Sequence, residues 1–318
     1  MTKIKKVLVN LYNNYYDFRI GIKEQKNWRK DRKLQMELGV PNIMSVDDTL
    51  DVILSTDKSI CRYGDGEFKL MDGESIQFQQ SNSLMSQRLI EVIKSDNPNV
   101  LVCIPTFLDR INIVKPKLHS KAEKTRYKQA TRYMNNIIAS KREKWYSYFD
   151  MNRLYGNSIV SRFYASAYDD EYSERVISKW KQVWNDKDLL IVEGNLTRMG
   201  VGNDLFDNAK SIKRILAPAK NAFGRYDDIA DAVLQNYNSE LVLIALGPTA
   251  TVLAYDLAKN GIRALDIGHI DIEYEWYLRK DKTHQKIEGK FVSEAADGDA
   301  VDSNINDDEY NSQIVGVI

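Results

Sequence analysis

DLLIVEG (188–194), SIKRILAP (211–218), ELVLIALG (240–247) and IRALDIG (262–268) are the stretches that decide the fold. Each reads as a short apolar strand that meets a glycine or proline. Helical spacing fills the gaps from about Asp227 to Gln235 and from Ala250 to Lys259. Strands separated by helices of that length predict right-handed crossovers and an open, mostly parallel sheet. Ligands on such sheets bind at the carboxyl ends of the strands.

Working back towards the N-terminus, Ser45 followed by VDDTLDVILS is a capped helix, and KSICRY is a strand that ends at the glycines of GDGE. NSLMSQRLIEVIKS has helical spacing, and NVLVCIP is a run that only a strand buried on both faces explains. Residues 115–185 are rich in Lys, Arg, Tyr and Trp and read as helical. The expected architecture is α/β: a Rossmann-like, mostly parallel sheet flanked by helices in a single main domain, residues 40–290. A basic segment, 1–39, precedes it, and an acidic tail expected to be disordered, 291–318, follows.

The 318 residues hold 45 Lys and Arg against 45 Asp and Glu, so no bulk field draws the chain to nucleic acid, which is not an expected partner. The charge is uneven: residues 1–39 hold ten basic and four acidic side chains, while nothing after Lys290 is basic. Two frayed, solvated ends would give the same pattern. The sharper alternative is a basic N-terminus in peripheral contact with a membrane surface. Cys61 and Cys103 lie inside apolar strands rather than at ligand spacing, so they read as reduced core residues. No stretch has the length of a membrane span or the form of a signal peptide. A cytoplasmic location is therefore expected.

The strand-terminal loops carry the chemistry. In Arg62-Tyr63-Gly64-Asp65-Gly66-Glu67, two carboxylates flank one glycine. If Gly66 takes positive φ they converge on one side of a turn and suit a hard divalent ion, although most such triplets are solvated turns. In the loop from Glu193 to Asp204, Gly194, Gly200 and Gly202 let the backbone curl towards an anion, Arg198 supplies a cationic fork, and Asn203 adds a polar group. Gly247-Pro248-Thr249-Ala250-Thr251 opens a helix whose first-turn N–H groups, with Thr249 as the expected cap, are a candidate anion site, although a capped helix with no ligand reads the same. Asp266, His269, Asp271 and Glu273 crowd one further strand end, where Asp266 and His269 are candidate metal ligands and His269, Asp271 and Glu273 candidate bases. Arg62, Arg162 and Lys210 are further candidate cations for a negative donor, each equally suited to a structural salt bridge.

Together RYGDGE, SRFY, EGNLTRMGVGNDLFDNAKSIKRI, NAF, ALGPTATVLAYDLA and DIGHIDIEYEW resemble the GT-D type glycosyltransferases of bacterial clusters that glycosylate serine-rich adhesins or build surface polysaccharide. The resemblance covers roughly residues 40–280. It implies a Rossmann-like single sheet, a UDP-sugar donor, and a divalent ion, Mn2+ or Mg2+, bound through a D-x-E motif that falls on Asp65 and Glu67. Glu67 is then the direct ligand and Asp65 the partner of donor or water. The implied reaction moves a hexose, glucose as the first expectation, to a glycan or glycoprotein acceptor. A homo-oligomer is compatible with this reading. A metal-dependent phosphoesterase or nucleotide-sugar hydrolase would use the same groups, and a non-catalytic nucleotide-binding module would keep the same anion loops.

Overall fold

The computed structural model describes residues 22, 25–109, 138–164, 170–281, 283–292, 295, 297–298, 300–301 and 307–318. The chain forms two compact units, Met1–Pro41 with Phe107–Asn152, and Asn42–Thr106 with Arg153–Ile318. The divisions expected from the sequence, 1–39, 40–290 and 291–318, rest on charge, element pattern and motifs rather than on contacts.

The second unit holds nine strands among the described residues: β1 (Asn42–Ile43), β2 (Ser59–Arg62), β3 (Val100–Ile104), β4 (Leu154–Asn157), β5 (Asp188–Gly194), β6 (Ser211–Ala217), β7 (Leu241–Ala245), β8 (Ala264–Asp266) and β9 (Ile314–Val317). They form one sheet in the order β1-β4-β3-β2-β8-β7-β5-β6-β9. Every neighbouring pair is parallel. Side chains alternate across it: Leu189, Ile191, Leu241, Leu243 and Leu265 join one core cluster with Trp180 and Trp184. Leu190, Val192, Val242 and Ile244 are buried as well, on the opposite side. Both faces are dry, which is why these strands read as unbroken apolar runs.

The helices are α1 (Val46–Ser55), α2 (Asp65–Met71), α3 (Ser83–Lys94), α4 (Asp170–Val183), α5 (Tyr226–Asn236), α6 (Pro248–Lys259), α7 (Ile270–Leu278) and α8 (Asp308–Ser312). Ser45 caps α1, its Oγ accepting the Asp48 N–H at 3.0 Å. Helices α2, α3, α5 and α6 pack in one layer, and α1, α4 and α7 in another. Steps from β2 to β3, β6 to β7 and β7 to β8 run one way along the sheet through the first layer. Those from β1 to β2 and β4 to β5 run the other way through the second. Direction and layer reverse together, so the crossovers keep one hand, as twisted strands require.

Three strands depart from the expectation. β1 is too short to show a period, and β4, LYGN, has a glycine where a side chain would be expected. A Cβ on Gly156 would lie 2.5 Å from Cys103 Sγ, so close approach to β3 demands glycine there. The acidic tail was expected to be disordered, yet Asp308–Ser312 is helical and Ile314–Val317 is the edge strand beside β6. The apolar run after the acids, IVGVI, supplies that edge.

In the first unit, residues 25–38 and Ala139–Tyr146 are helical. Arg142 is buried and fork-bonded to Asp31, with Nη2–Oδ2 at 3.1 Å, and Gln35 Nε2 donates to the same carboxylate at 3.0 Å. The helical reading of 115–185 therefore holds at Ala139–Tyr146 and at α4, while residues 110–137 lie outside the described residues. Residues 1–21 of the basic segment also lie outside them. No helix among the described residues is long and apolar enough to cross a membrane.

Candidate functional site

From β2 the chain enters one helix layer, from its neighbour β8 the other, and from β7 the first again. Neighbouring strands whose connections part in this way leave a crevice at their carboxyl ends. The ends of β2 and β8 are locked across it. Arg62 donates from Nε to the Asp266 carbonyl at 2.7 Å and from Nη2 to Asp266 Oδ1 at 2.9 Å. Asp266 Oδ2 accepts the Arg62 backbone N–H at 3.2 Å and Thr251 Oγ1 at 3.3 Å. Burial pushes the Asp266 carboxyl up, against the pull of Arg62. Asp266, expected as a metal ligand, is thus committed to holding Arg62.

Gly268 has φ +49°, and a Cβ on it would fall 2.0 Å from Arg62 Nη2. Gly268→Ala should therefore push the guanidinium off Asp266 and cost about 1–2 kcal/mol of backbone strain besides. The expected readout is a lowered Tm with loss of ligand binding, measured by calorimetry; an unchanged Tm would contradict the lock.

The D-x-E motif is not a turn. Gly66 does not take positive φ, and Asp65-Gly66-Glu67 is the first turn of α2, with Gly64 at the N-cap. Two positions apart on a helix, the carboxylates leave the axis roughly 200° apart and do not converge as a tight turn would make them. Asp65 Oδ2 pairs with Lys69 Nζ at 2.8 Å, one helical turn on. Glu67 Oε2 accepts the Gly64 N–H at 2.6 Å, which is half of a capping box. Burial pushes Glu67 up to about 7, while its backbone donors pull the other way. The reason for the miss is local: acids are favoured in a first turn as much as in a loop.

The loop after β5 is held from α7. Gly200 and Gly202 have φ +80° and +78°, and Arg198 also has positive φ at +47°. Asp271 Oδ1 accepts the Gly200 N–H at 3.0 Å and Asn203 Nδ2 at 2.8 Å, and its Oδ2 meets Lys290 Nζ at 2.7 Å. Glu275 Oε1 binds the same Asn203 amide at 2.7 Å and the same lysine at 3.1 Å. Burial pushes Glu275 up, but Lys290 and Asn203 outweigh it and hold the carboxyl below its ordinary value. Glu273 is fully buried, salt-bridged to Arg162 Nε at 2.8 Å and accepting the Tyr164 N–H at 2.8 Å. Asp271 and Glu273 are therefore positioning groups rather than exposed bases. His269 stands half-buried at the start of α7, beside Gly268.

Other expected donor contacts face inwards or lie elsewhere. Arg198 is buried and donates Nη1 to the Gly289 carbonyl at 2.9 Å. Glu193 is fully buried, its Oε1 accepting Arg214 Nη1 at 2.7 Å and its Oε2 the Met199 N–H at 2.7 Å. Lys210 pairs with Asp188 at 2.8 Å, at the amino end of β5 and about 20 Å of strand from the loops. Sequence reasoning missed Lys69, Glu275 and Lys290. The spacing of Asp271 and Glu275, one turn apart on one helix, was the available signal.

At the start of α6, Gly247 has φ +52° and no side chain caps the helix. Thr251 Oγ1 donates to the Arg62 carbonyl at 2.8 Å, tying this turn to the end of β2. Thr249 is not the cap it was expected to be; it is fully buried, and its Oγ1 has no hydrogen-bond partner among the described residues.

With that geometry, comparison with known proteins is direct. Residues 60–295 match the family model for the glycosyltransferase GT-D fold. A probable glycosyl transferase Gly of Streptococcus gordonii is 37% identical over 278 residues, 86% of this chain and 38% of that protein. Glycosyltransferase GlyD of Streptococcus pneumoniae serotype 4 is 35% identical over 310 residues, 97% of this chain and 36% of that protein. The chain thus spans little more than a third of the length of either relative. Among solved structures, a domain of unknown function 1792 described as having a distinct glycosyltransferase fold superposes with a TM-score of 0.80 at 33% identity, covering 92% of this chain and 99% of that one. A glycosyltransferase from Streptococcus sanguinis gives a TM-score of 0.78 at 37% identity, over 87% of this chain and 99% of that one.

Proposed function

Because the chain belongs to the GT-D glycosyltransferase family, we propose that it transfers a hexose, glucose first among the candidates, from a UDP-sugar to a glycan or glycoprotein acceptor. The observation that carries the reading is the first turn of α2. There Glu67, half-buried and fixed by the Gly64 N–H, stands with Asp65 at the carboxyl end of β2 beside the crevice.

Among the described residues, no three His, Cys, Asp or Glu side chains group to hold an ion. Because the two side chains leave the helix roughly 200° apart and Asp65 is paired with Lys69, Glu67 is the carboxylate that would hold a divalent ion, its oxygens being the hard donors that magnesium and manganese take. Held by Glu67, such an ion would supply Lewis-acid assistance to the departing UDP, and Asp65 would be left as the partner of donor or water. The chain's own contribution is orientation. The Gly64 N–H fixes one Glu67 oxygen before any ligand arrives, and Lys69 steadies Asp65. Asp271 and Glu275 fix the Gly200–Asn203 segment through the Gly200 N–H and the Asn203 side-chain amide. With Asp271 and Glu273 engaged inside the protein, His269 is the group we assign as general base for an inverting course.

The test is a panel of UDP-sugars with acceptor glycans, in Mn2+ or in EDTA, reading UDP release. Release with one UDP-hexose, dependent on both metal and acceptor, is the expected result. Free sugar with no acceptor product would replace the transferase by a hydrolase.

A further inference from the structure

The even balance of charge over the whole chain conceals a division between its two units. Met1–Pro41 with Phe107–Asn152 hold 21 Lys and Arg against 8 Asp and Glu, a net of +13, while the rest of the chain holds 24 against 37, a net of −13. A unit of that net charge draws polyanions from about a Debye length away, roughly 8–10 Å at physiological salt. The remaining residues repel them.

The described residues of the basic unit include a place where such a chain can lie. In the helix of residues 25–38, Lys26, Arg29, Arg32 and Lys33 are exposed, and of these only Lys33 has an acidic partner among the described residues, Glu37 at 3.6 Å. Spacings of three and four residues put Lys26, Arg29 and Lys33 on one stripe, about 5 Å apart along the axis, close to the advance of one sugar ring with its linkage. An open groove follows the stripe, lined by Trp28, Arg29, Arg32, Lys33, Met36 and Glu37. Arg32 lies over the Trp28 ring, 5.6 Å from its centroid, which keeps the guanidinium beside the groove.

The other side of the same helix decides the class of polyanion. A helix that lies on a bilayer sinks an apolar face opposite its basic one. Here that opposite side is closed inside the unit and is polar, with Asp31 and Gln35 buried and Asp31 held by Arg142. On the stripe itself the exposed apolar residue is Met36, too little surface to anchor in lipid. Single-stranded nucleic acid is gripped by stacking its bases on open aromatic faces, whereas Trp28 is half-buried and has Arg32 over its ring. A chain in water with anions at short, regular intervals and no need of stacking fits the groove best.

We propose that the groove along residues 25–38 is a docking site for a polyanionic glycan, the acceptor chain, so that acceptors bearing carboxylate or phosphate groups are favoured over neutral ones. This rests on the glycosyltransferase reading for the bound chain's being an acceptor; the site itself follows from the charge and the groove.

The experiment is calorimetric titration of the full chain with oligogalacturonate and with a neutral maltooligosaccharide of the same length, across a salt series. Wild type is expected to bind the acidic oligomer with an affinity that falls steeply with salt, and the neutral one at least tenfold more weakly. The triple variant Arg29→Gln, Arg32→Gln, Lys33→Gln is expected to lose at least fivefold in affinity for the acidic oligomer with the Tm held. A second triple, Lys220→Gln, Arg225→Gln, Lys280→Gln, removes the same charge from exposed positions of the other unit and is expected to lose less than twofold. Absence of wild-type binding, an unchanged first triple, or equal losses in the two triples would each overturn the proposal; Arg29→Gln alone, expected to lose at least twofold, replaces the first triple should that fail to fold. Groove-dependent binding of an oligothymidylate tighter than that of oligogalacturonate at equal charge, or groove-dependent capture on phosphatidylglycerol vesicles without binding of oligogalacturonate, would give the groove to nucleic acid or to a membrane and overturn the glycan assignment. Groove-dependent binding of the acidic oligomer, in a protein that releases UDP from no UDP-sugar, would remove the transferase reading alone. Turnover with oligogalacturonate affinity indifferent to the groove would remove this site alone.

Discussion

Glu67→Gln is expected to lower kcat/KM for transfer by on the order of a hundredfold or more while leaving the protein at least as stable as wild type. The substitution separates two roles that the same side chain fills. As a capping residue, glutamine serves as well as glutamate, because its amide oxygen can accept the Gly64 N–H that Oε2 now accepts at 2.6 Å. As an oxygen donor to a divalent cation it is weaker, because the charge is gone.

The stability side follows from burial, which raises the Glu67 carboxyl from its ordinary 4.5 to about 7. Between those values the folded chain keeps a proton that the unfolded chain has released, so this group's contribution is fully present below pH 4.5 and is lost as pH rises through 7. Glutamine is neutral throughout. Its advantage should be absent near pH 4 and reach at most about 3.5 kcal/mol above pH 7, at about 1.4 kcal/mol per unit. Thermal melts at pH 4 and pH 8, with UDP release on the same samples, check both halves. Full activity in the variant would reduce Glu67 to a helix cap.

Arg214→Met is expected to destabilise the fold by about 3–5 kcal/mol, the usual result of stranding one buried charge. Arg214 and Glu193 are both buried, their Nη1–Oε1 contact is 2.7 Å, and Arg214 Nε also donates to Gln313 Oε1 at 2.6 Å. Burial pushes the Glu193 carboxyl up even with the arginine in place. Without it the glutamate must take up a proton or break its bond to the Met199 N–H. The double variant Glu193→Gln with Arg214→Met should recover a large part of the loss, since neither charge then remains. Urea titrations of the single and double variants measure this, and a single-variant loss below about 1 kcal/mol would show that the pair is not desolvated as its burial implies.

How much of this was legible in the sequence depends on the range of the interactions. β5 to β8 and the helices between them were legible because burial on two faces and helical periodicity are written within a few residues. β4 was not, because LYGN acquires its strand character from Cys103 on a neighbouring strand. The crevice loops were placed correctly at strand ends, but the state of their side chains was not. Asp271, Glu273 and Asp266 form a conspicuous acidic cluster in the sequence. What each does is set by Gly200, Tyr164 and Arg62, which lie 71, 109 and 204 residues away along the chain. Arg198 and Glu193 resembled ligand groups for the same reason: a charge beside a glycine looks alike whether it faces solvent or is turned inwards.

The last strand has a consequence for how the molecule is made. β9 pairs with β6, whose Arg214 lies opposite Ile314, and the segment just before it brings Tyr310 and Gln313 to the buried pair. A nascent chain that has left the ribosome only as far as Asp307 therefore carries β6 as an unpaired edge of its sheet, with the Glu193–Arg214 pair still short of Tyr310 and Gln313. Until Ile314–Val317 has emerged, the backbone groups on that edge of β6 are a template for any passing strand.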